Sequence, residues 1–501
     1  VKKEALTLSY GEKISLHPLM RWMDNMDMNI LMVTSETVPF SKSGGLADVV
    51  GALSQSLSEM GHEIRVFMPM YSFIDRDDWK KTLSYQIPML GKNEKADILE
   101  KKVGNVTYVG FAHPYFTTRK GIYGDTSFQP YSDNCPRFLA FAKAAALYLA
   151  ATDWKVDIVH CHDWTTGLVP HYLKHFKVET KTVFTIHNLA YQGVFPLLDA
   201  VISSTRIPKS AQRGERGHKT INMMAAGLLD SDYITTVSPN YMEEIKTEDY
   251  GCSLSDIIRK REKSSRGIIN GIDYDEWNPE KDGNIKANFS SSDLKGKEEC
   301  KKALLEEFRI EGYEDKPLFS MISRLADQKG FDELLLEGSP CALERILEKN
   351  DSAFVIIGTG DSRYVTKLSL LMAKYKNLSV KIAFSQPLSH MAEAGADFFL
   401  MPSRFEPCGL NQLYSMRYGT LPVVNSTGGL KDSVKDMTEE DGTGFVFSPL
   451  NPDTIVKAVE RAVEFHKDKE KLKAARIRAM EIDSTWKRSA EAYEEVYRSL
   501  I

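Results

Sequence analysis

The chain has 501 residues, 42% of them hydrophobic and 27% charged, and 64 Lys+Arg against 69 Asp+Glu leave a net charge of −5. That length calls for two or three domains with real cores. So even a charge balance excludes the basic footprint of a nucleic-acid or anionic-membrane binder. An anionic ligand has to be met by a few placed charges and helix N-termini.

Residues 1–27 carry Lys2, Lys3 and Lys13 but no apolar h-region, so they are no secretory signal. They are set aside as an N-terminal extension, and the fold is expected to begin near Met28. From Asn29 short apolar runs alternate with longer helical stretches. NILMVTS (29–35) leads through a glycine loop into LADVVGALSQSLSEMG, and IRVFMP (64–69) follows. Residues 80–116 read as a β-rich insertion. Phe138 to Thr152 is an apolar helix, too short for the roughly 20 residues of a membrane span. DIVHCHDW (157–164), TVFTIHN (182–188) and YITTVS (233–238) are further strands. This alternation predicts a parallel, doubly wound sheet.

The turn-rich GIINGIDYDEWNP (267–279) marks a domain boundary near residue 275. The pattern restarts with PLFSMIS (317–323), FVIIG (354–358), VKIAF (380–384), DFFLMPS (397–403), LPVVN (421–425) and GFVFS (444–448), and 453–501 is a helical tail. The predicted fold class is α/β, with two Rossmann-like domains, 28–275 and 276–480, facing a central cleft. Six scattered cysteines without a CxxC pair indicate neither disulfide framework nor zinc site, and fit a reducing compartment.

Candidate chemistry sits in the loops that follow strands. Ser43-Gly44-Gly45-Leu46-Ala47-Asp48 is echoed by Thr427-Gly428-Gly429-Leu430-Lys431-Asp432, each opening a helix after an apolar strand. Adjacent glycines at a helix start let backbone N–H groups approach an anion, and Lys42 adds a cation. The bland reading is a tight turn. No GxxxxGK[ST] occurs, and Gly358-Thr359-Gly360 lacks the third glycine of a dinucleotide fingerprint. Arg324 and Lys329, in SRLADQKG, are placed to reach a diphosphate, against the alternative of two solvated cations. His160, His162, Asp163 and His187 lack metal-ligand spacing. His187, at a strand end, is the better active-site candidate, whereas His160 and His162 read as core residues. Glu406, in RFEPCGL, can accept bidentate bonds from sugar hydroxyls, or simply complement a helix start. Cys408 reads as packing rather than nucleophile.

These segments resemble the bacterial glycogen synthase and plant starch synthase family. The resemblance rests on SETVPFSKSGGLADVVGAL, HCHDWTTGLVP, FTIHNLAYQGVF, TTVSPNYMEEI, GIINGIDYDEWNP, SRLADQKG and SRFEPCGLNQLYSMRYGTLPVV with TGGLKDSV, in the family's order from about Met28 onward. It implies the GT-B fold, with a final helix (481–501) crossing back to the first domain. It also implies a retaining, metal-independent glucosyltransferase acting from ADP-glucose on an α-1,4-glucan, with no cofactor beyond the nucleotide sugar. By the same resemblance, Arg324, Lys329 and Lys42 serve the leaving diphosphate, Glu406 with Cys408, Gly409 and Leu410 holds the donor glucose, and Thr427, Gly428 and Gly429 face phosphate. Gly44, Gly45 and Asn270 join the donor site. His187 lies beside the anomeric carbon, Phe384 meets the adenine, and Glu36, Asp48 and Asp163 line the cleft. The expected location is the cytoplasm, or the plastid stroma in a plant or alga. Departures from the family are Ser43 for the commoner Thr, Asn411 for a frequent Thr, and Ala225 where Lys is usual. The rival readings are a glucan phosphorylase, which needs a pyridoxal-phosphate lysine and a longer chain, and a catalytically weak glucan-binding scaffold.

Overall fold

A computed structural model describes residues 27–89, 92–125, 129–203, 207–214, 219–383 and 385–501. The N-terminal extension up to residue 26 and Phe384 lie outside the described residues.

The first half is built on a nine-stranded sheet. In chain order its strands are β1 (Asn29–Val33), β2 (Glu63–Pro69), β3 (Lys80–Met89), β4 (Lys92–Val103), β5 (Val106–Ala112), β6 (Ile158–His162) and β7 (Lys181–Ile186). A small antiparallel sheet follows, made of β8 (Val194–Pro196), β9 (Gln212–Arg213) and β10 (Thr220–Asn222). The large sheet closes with β11 (Tyr233–Thr236) and β12 (Ser265–Gly267). Its order is β12-β11-β7-β6-β1-β2-β5-β4-β3. The central strands β1, β2, β6 and β7 are buried along most of their length, as both-face covering of a parallel sheet requires. Residues 80–116 are not a separate insertion. β5 pairs in parallel with β2, and the β3–β4 hairpin extends that same edge antiparallel.

The second half is an all-parallel sheet of β13 (Leu318–Ile322), β14 (Ala353–Ile357), β15 (Leu378–Lys381), β16 (Phe398–Met401), β17 (Leu421–Asn425) and β18 (Phe445–Phe447), in the order β15-β14-β13-β16-β17-β18. The apolar helix is Asn134–Ala150, buried nearly all round.

Two large cores divide the chain, with two smaller clusters in the second domain. One gathers Met28 to Ile268 together with Trp486, Tyr493, Val496 and Tyr497, and the other is assembled from Ile272 to Met480. The helix Trp486–Arg498 therefore packs on the first domain, against the helix Gly45–Glu59. The two crossings run side by side: Ile272 bridges Thr485, and the Ser489 hydroxyl donates to the Ile269 carbonyl at 2.7 Å.

Strand order reverses beside β1 in the first sheet and beside β13 in the second. Crevices at the carboxyl ends of strands open at such switch points. The loops carrying Lys42, Arg324, Lys329 and Glu406 follow β1, β13 and β16, at or next to such a point, while His187 and the second glycine loop follow β7 and β17, one strand further out.

Candidate active site

On the first domain, the glycine loop between β1 and the helix Gly45–Glu59 folds around Glu36. This carboxylate is 3% exposed and accepts the N–H groups of Ser43 and Gly44 (the latter at 3.1 Å) and the Tyr123 hydroxyl at 2.8 Å. Burial raises its pKa despite those donors. The Ser43 and Gly44 amides are thus satisfied internally, leaving Gly45, first residue of a 15-residue helix, with its N–H unengaged among the described residues. Lys42 pairs with Asp48 at 2.7 Å in a half-exposed ion pair. Burial also raises the Asp48 pKa.

At the ends of β6 and β7 lies a histidine array. His160 Nδ1 meets the Tyr497 hydroxyl at 2.7 Å and its Nε2 meets Thr185 Oγ1 at 2.5 Å. His162 Nδ1 faces His187 Nε2 at 3.0 Å. Burial holds all three rings neutral, pushing His160 and His187 down to about 3 and His162 well below its ordinary value. Asp163 takes the His187 N–H at 2.7 Å, fixing the backbone that carries that ring, and burial lifts its carboxyl to about 7. Among the described residues, no three His, Cys, Asp or Glu side chains are grouped to hold a metal ion.

On the second domain, the segment after β13 does not begin an α-helix. It forms a 3₁₀ turn, Asp327–Lys329, then a π-helical turn, Asp332–Leu336. Gly330 has φ +77, and a Cβ there would lie 1.8 Å from the Pro402 carbonyl oxygen, so only glycine brings the turn this close to the loop after β16. Arg404 N–H donates to the Gln328 carbonyl at 2.9 Å, and its guanidinium pairs with Asp327 at 2.7 Å and Glu333 at 3.0 Å. This stitching delivers Lys329 onto Glu406, and the two form an ion pair supplemented by the Ser403 hydroxyl. Arg324 is exposed and, among the described residues, its side chain hydrogen-bonds only to Gln328 at 3.5 Å, which leaves it able to swing onto a ligand.

Behind Glu406, Cys408 is buried, its thiol pushed up to about 12 by burial. A buried thiol held up this way favours packing over a thiolate nucleophile and leaves its backbone for binding. Asn270, at the domain crossing, lies against this thiol and keeps a buried Oδ1 without a partner among the described residues. Gly409 takes φ +71, and Leu410 comes within 3.6 Å of where a Cβ on Gly45 would sit, so the first glycine loop and the donor-side loop touch across the cleft.

The second glycine loop is engaged within the protein. Thr427 N–H donates to the Asn425 carbonyl, Gly429 N–H to the Glu406 carbonyl at 3.0 Å, and Gly428 N–H to Glu244 at 2.8 Å. A Cβ on Gly428 would lie 1.9 Å from the Glu406 carbonyl oxygen. These glycines let two loops of one domain approach each other. Ala225 is fully buried in the first core, in the helix Met223–Asp230. Glu244, Arg404, Tyr123 and Tyr497 were not singled out from sequence. Glu244 stands inside the TTVSPNYMEEI segment, but its partner is 184 residues away.

A cavity of about 510 Å³ lies beside the domain crossing, lined by Asp48 and Leu410 of the expected site and by Tyr108, Glu276, Trp277 and Tyr414 among others, but not by His187, Lys329 or Glu406.

Two α/β domains with charged loops at facing switch points define a GT-B-type glycosyltransferase. The starch synthase catalytic domain family matches residues 29–260, and glycosyl transferases group 1 matches residues 305–478. The chain is 40% identical to glycogen synthase 2 of Geobacter sulfurreducens, over 94% of this chain and 98% of that one. It is 41% identical to the glycogen synthase of Treponema denticola, over 95% and 99%. The solved catalytic domain of starch synthase IV from Arabidopsis thaliana, bound to ADP and acarbose, superposes with a TM-score of 0.84 at 31% identity, covering 95% of this chain and 99% of that one. Sucrose-phosphate synthase from Thermosynechococcus elongatus shares the fold at a TM-score of 0.59 and 15% identity. The chain belongs to the glycogen synthase and starch synthase family.

Proposed function

We propose that this protein transfers glucose from ADP-glucose to the non-reducing end of an α-1,4-glucan, with retention of configuration and without a metal. The observation that carries the reading is Lys329 held on Glu406 at the second sheet's switch point, with Arg324 free beside it. The near-full-length likeness to glycogen synthases, and to a starch synthase solved with ADP, supports the donor and acceptor classes.

Loss of ADP builds negative charge on the diphosphate and oxocarbenium character on the sugar. Lys329 and Arg324, with the Gly45 N–H at the start of a long helix, can stabilise the leaving group as its charge grows. Lys42 adds charge from the first domain. Donor binding draws Lys329 off Glu406, freeing that carboxylate to grip the glucose hydroxyls, while the Cys408–Gly409 backbone supports the same sugar. His187, neutral and fixed by Asp163 and His162, suits a hydrogen bond to the sugar rather than proton transfer. In this reading the acceptor 4-hydroxyl attacks from the face that ADP leaves and gives its proton to a phosphate oxygen.

Closure over the donor excludes water and favours transfer over hydrolysis. No helix of the described residues is long and apolar enough to cross a membrane. The likeness to bacterial glycogen synthases and to a plant starch synthase supports a reaction in the cytosol or a plastid stroma. Proton NMR of the first product formed on a short maltooligosaccharide tests the stereochemistry. An α-anomeric signal is expected; a β signal overturns the retaining reading.

A further inference from the structure

Two short helices, one from each domain, meet across the cleft: Pro239–Glu244, after β11, and Gly428–Ser433, after β17. Each sends a carboxylate into the first turn of the other. Glu244 Oε1 accepts from the Gly428 N–H at 2.8 Å and the Thr427 hydroxyl at 3.1 Å. Asp432 Oδ2 accepts from the Asn240 N–H at 2.7 Å, and the Ser238 hydroxyl donates to the same carboxylate. Both are charge-assisted bonds to helix-start donors, the kind that gains most from exclusion of water. Glu244 Oε1 also accepts from the Asn240 side-chain amide at 2.9 Å, which orients the carboxylate from its own helix, while the remaining oxygen of Glu244 is buried without a partner among the described residues.

The clasp also reaches the sugar site. The loop that Glu244 holds donates through Gly429 N–H to the Glu406 carbonyl, and Gly428 packs directly on that same oxygen. A chain of contacts therefore runs from the first domain through Glu244 and the second glycine loop to the backbone of Glu406. When the domains part, both carboxylates leave their donors, and the loop behind Glu406 loses its brace.

We propose that Glu244 and Asp432 form a reciprocal clasp that holds the cleft closed and positions Glu406 for the donor sugar. They are positioning residues, and the kinetic part of the proposal rests on the glucosyl-transfer reading above. The tests are solution scattering of the ligand-free full chain and steady-state kinetics with ADP-glucose and glycogen. Glu244→Ala and Asp432→Ala each enlarge the radius of gyration. Each raises the donor KM about tenfold, the worth of one charge-assisted bond, while changing kcat far less. Because loss of either end opens the same clasp, the double variant is no worse than the sum of the singles and falls well short of it. Glu244→Gln, whose amide oxygen still accepts from Gly428, restores most of both properties and controls for misfolding. Unchanged scattering in both alanine variants overturns the clasp, as does a fall in kcat at constant KM. The scattering arm needs no turnover, so a chain without transferase activity would leave it decisive.

Discussion

Lys329→Ala puts the charge-stabilisation account at greatest risk. Lys329 is 18% exposed and Glu406 10%, so the pair lies at the cleft wall rather than in bulk solvent. Removing one donor aimed at charge that develops in the transition state costs about 3–4 kcal/mol, or about 10²–10³ in kcat. A solvated cation would contribute under about 1 kcal/mol. The substitution has a second consequence. Among the described residues Glu406 keeps only the Ser403 hydroxyl at 3.1 Å, leaving a largely buried carboxylate under-satisfied. That costs about 1–3 kcal/mol of stability, short of the about 3–5 for breaking a fully buried pair. Lys329→Ala/Glu406→Gln separates the two effects: removing the stranded charge restores stability and leaves turnover low. The assay is initial-rate nucleotide release at saturating ADP-glucose with glycogen, beside urea unfolding of each variant. A Lys329→Ala enzyme within about threefold of wild-type kcat, a difference of under about 1 kcal/mol, would refute the reasoning.

Three further outcomes are expected. Asp163 has its folded pKa raised to about 7, so it favours folding in its protonated form. Its stabilisation is full below about pH 4 and is lost as pH rises through about 7, at most about 4 kcal/mol. Asp163→Asn keeps the acceptor for the His187 N–H and removes this dependence, so wild type loses stability relative to the variant across that window; parallel curves contradict the assignment. Tyr497→Phe strands His160 Nδ1, fully buried beneath the site, and should cost about 1–3 kcal/mol in urea unfolding; no loss means the last helix is not tied to the site through this bond. Ala225→Lys puts an ammonium into the first core and should destabilise by several kcal/mol, the cost of burying an unpaired charge; a neutral effect means the helix can turn that position to solvent.

Much of this architecture is written locally. LPVVN, FVIIG and NILMV are short apolar runs between turn formers, and they became β17, β14 and β1 within a residue or two. The β3–β4–β5 edge is harder to place, because β3 is largely exposed and nothing local to β5, though mostly buried, says that it pairs with β2. The start after Ser323 is legible as a turn but not as 3₁₀ followed by π-helix, since Pro402 dictates that geometry from 72 residues downstream.

At the site, Arg324, Lys329, Glu406 and His187 announce themselves by falling just after strands. Their partners do not. The amide donors of Glu36 sit seven and eight residues away in the same loop, but Glu244 meets Gly428 across 184 residues and His160 meets Tyr497 across 337. Composition and periodicity say nothing of such pairings, which exist only once the two domains face each other and the last helix has crossed back. The glycines of the second loop illustrate the difference. Sequence shows a helix start fit for an anion, while packing shows that two of its N–H groups already serve Glu244 and Glu406.

The central claim is tested most directly by nucleotide release from ADP-glucose and from UDP-glucose, each measured with and without glycogen. The account predicts release that depends on glycogen and is fastest from ADP-glucose. Release independent of glycogen, or none from either donor, would contradict it.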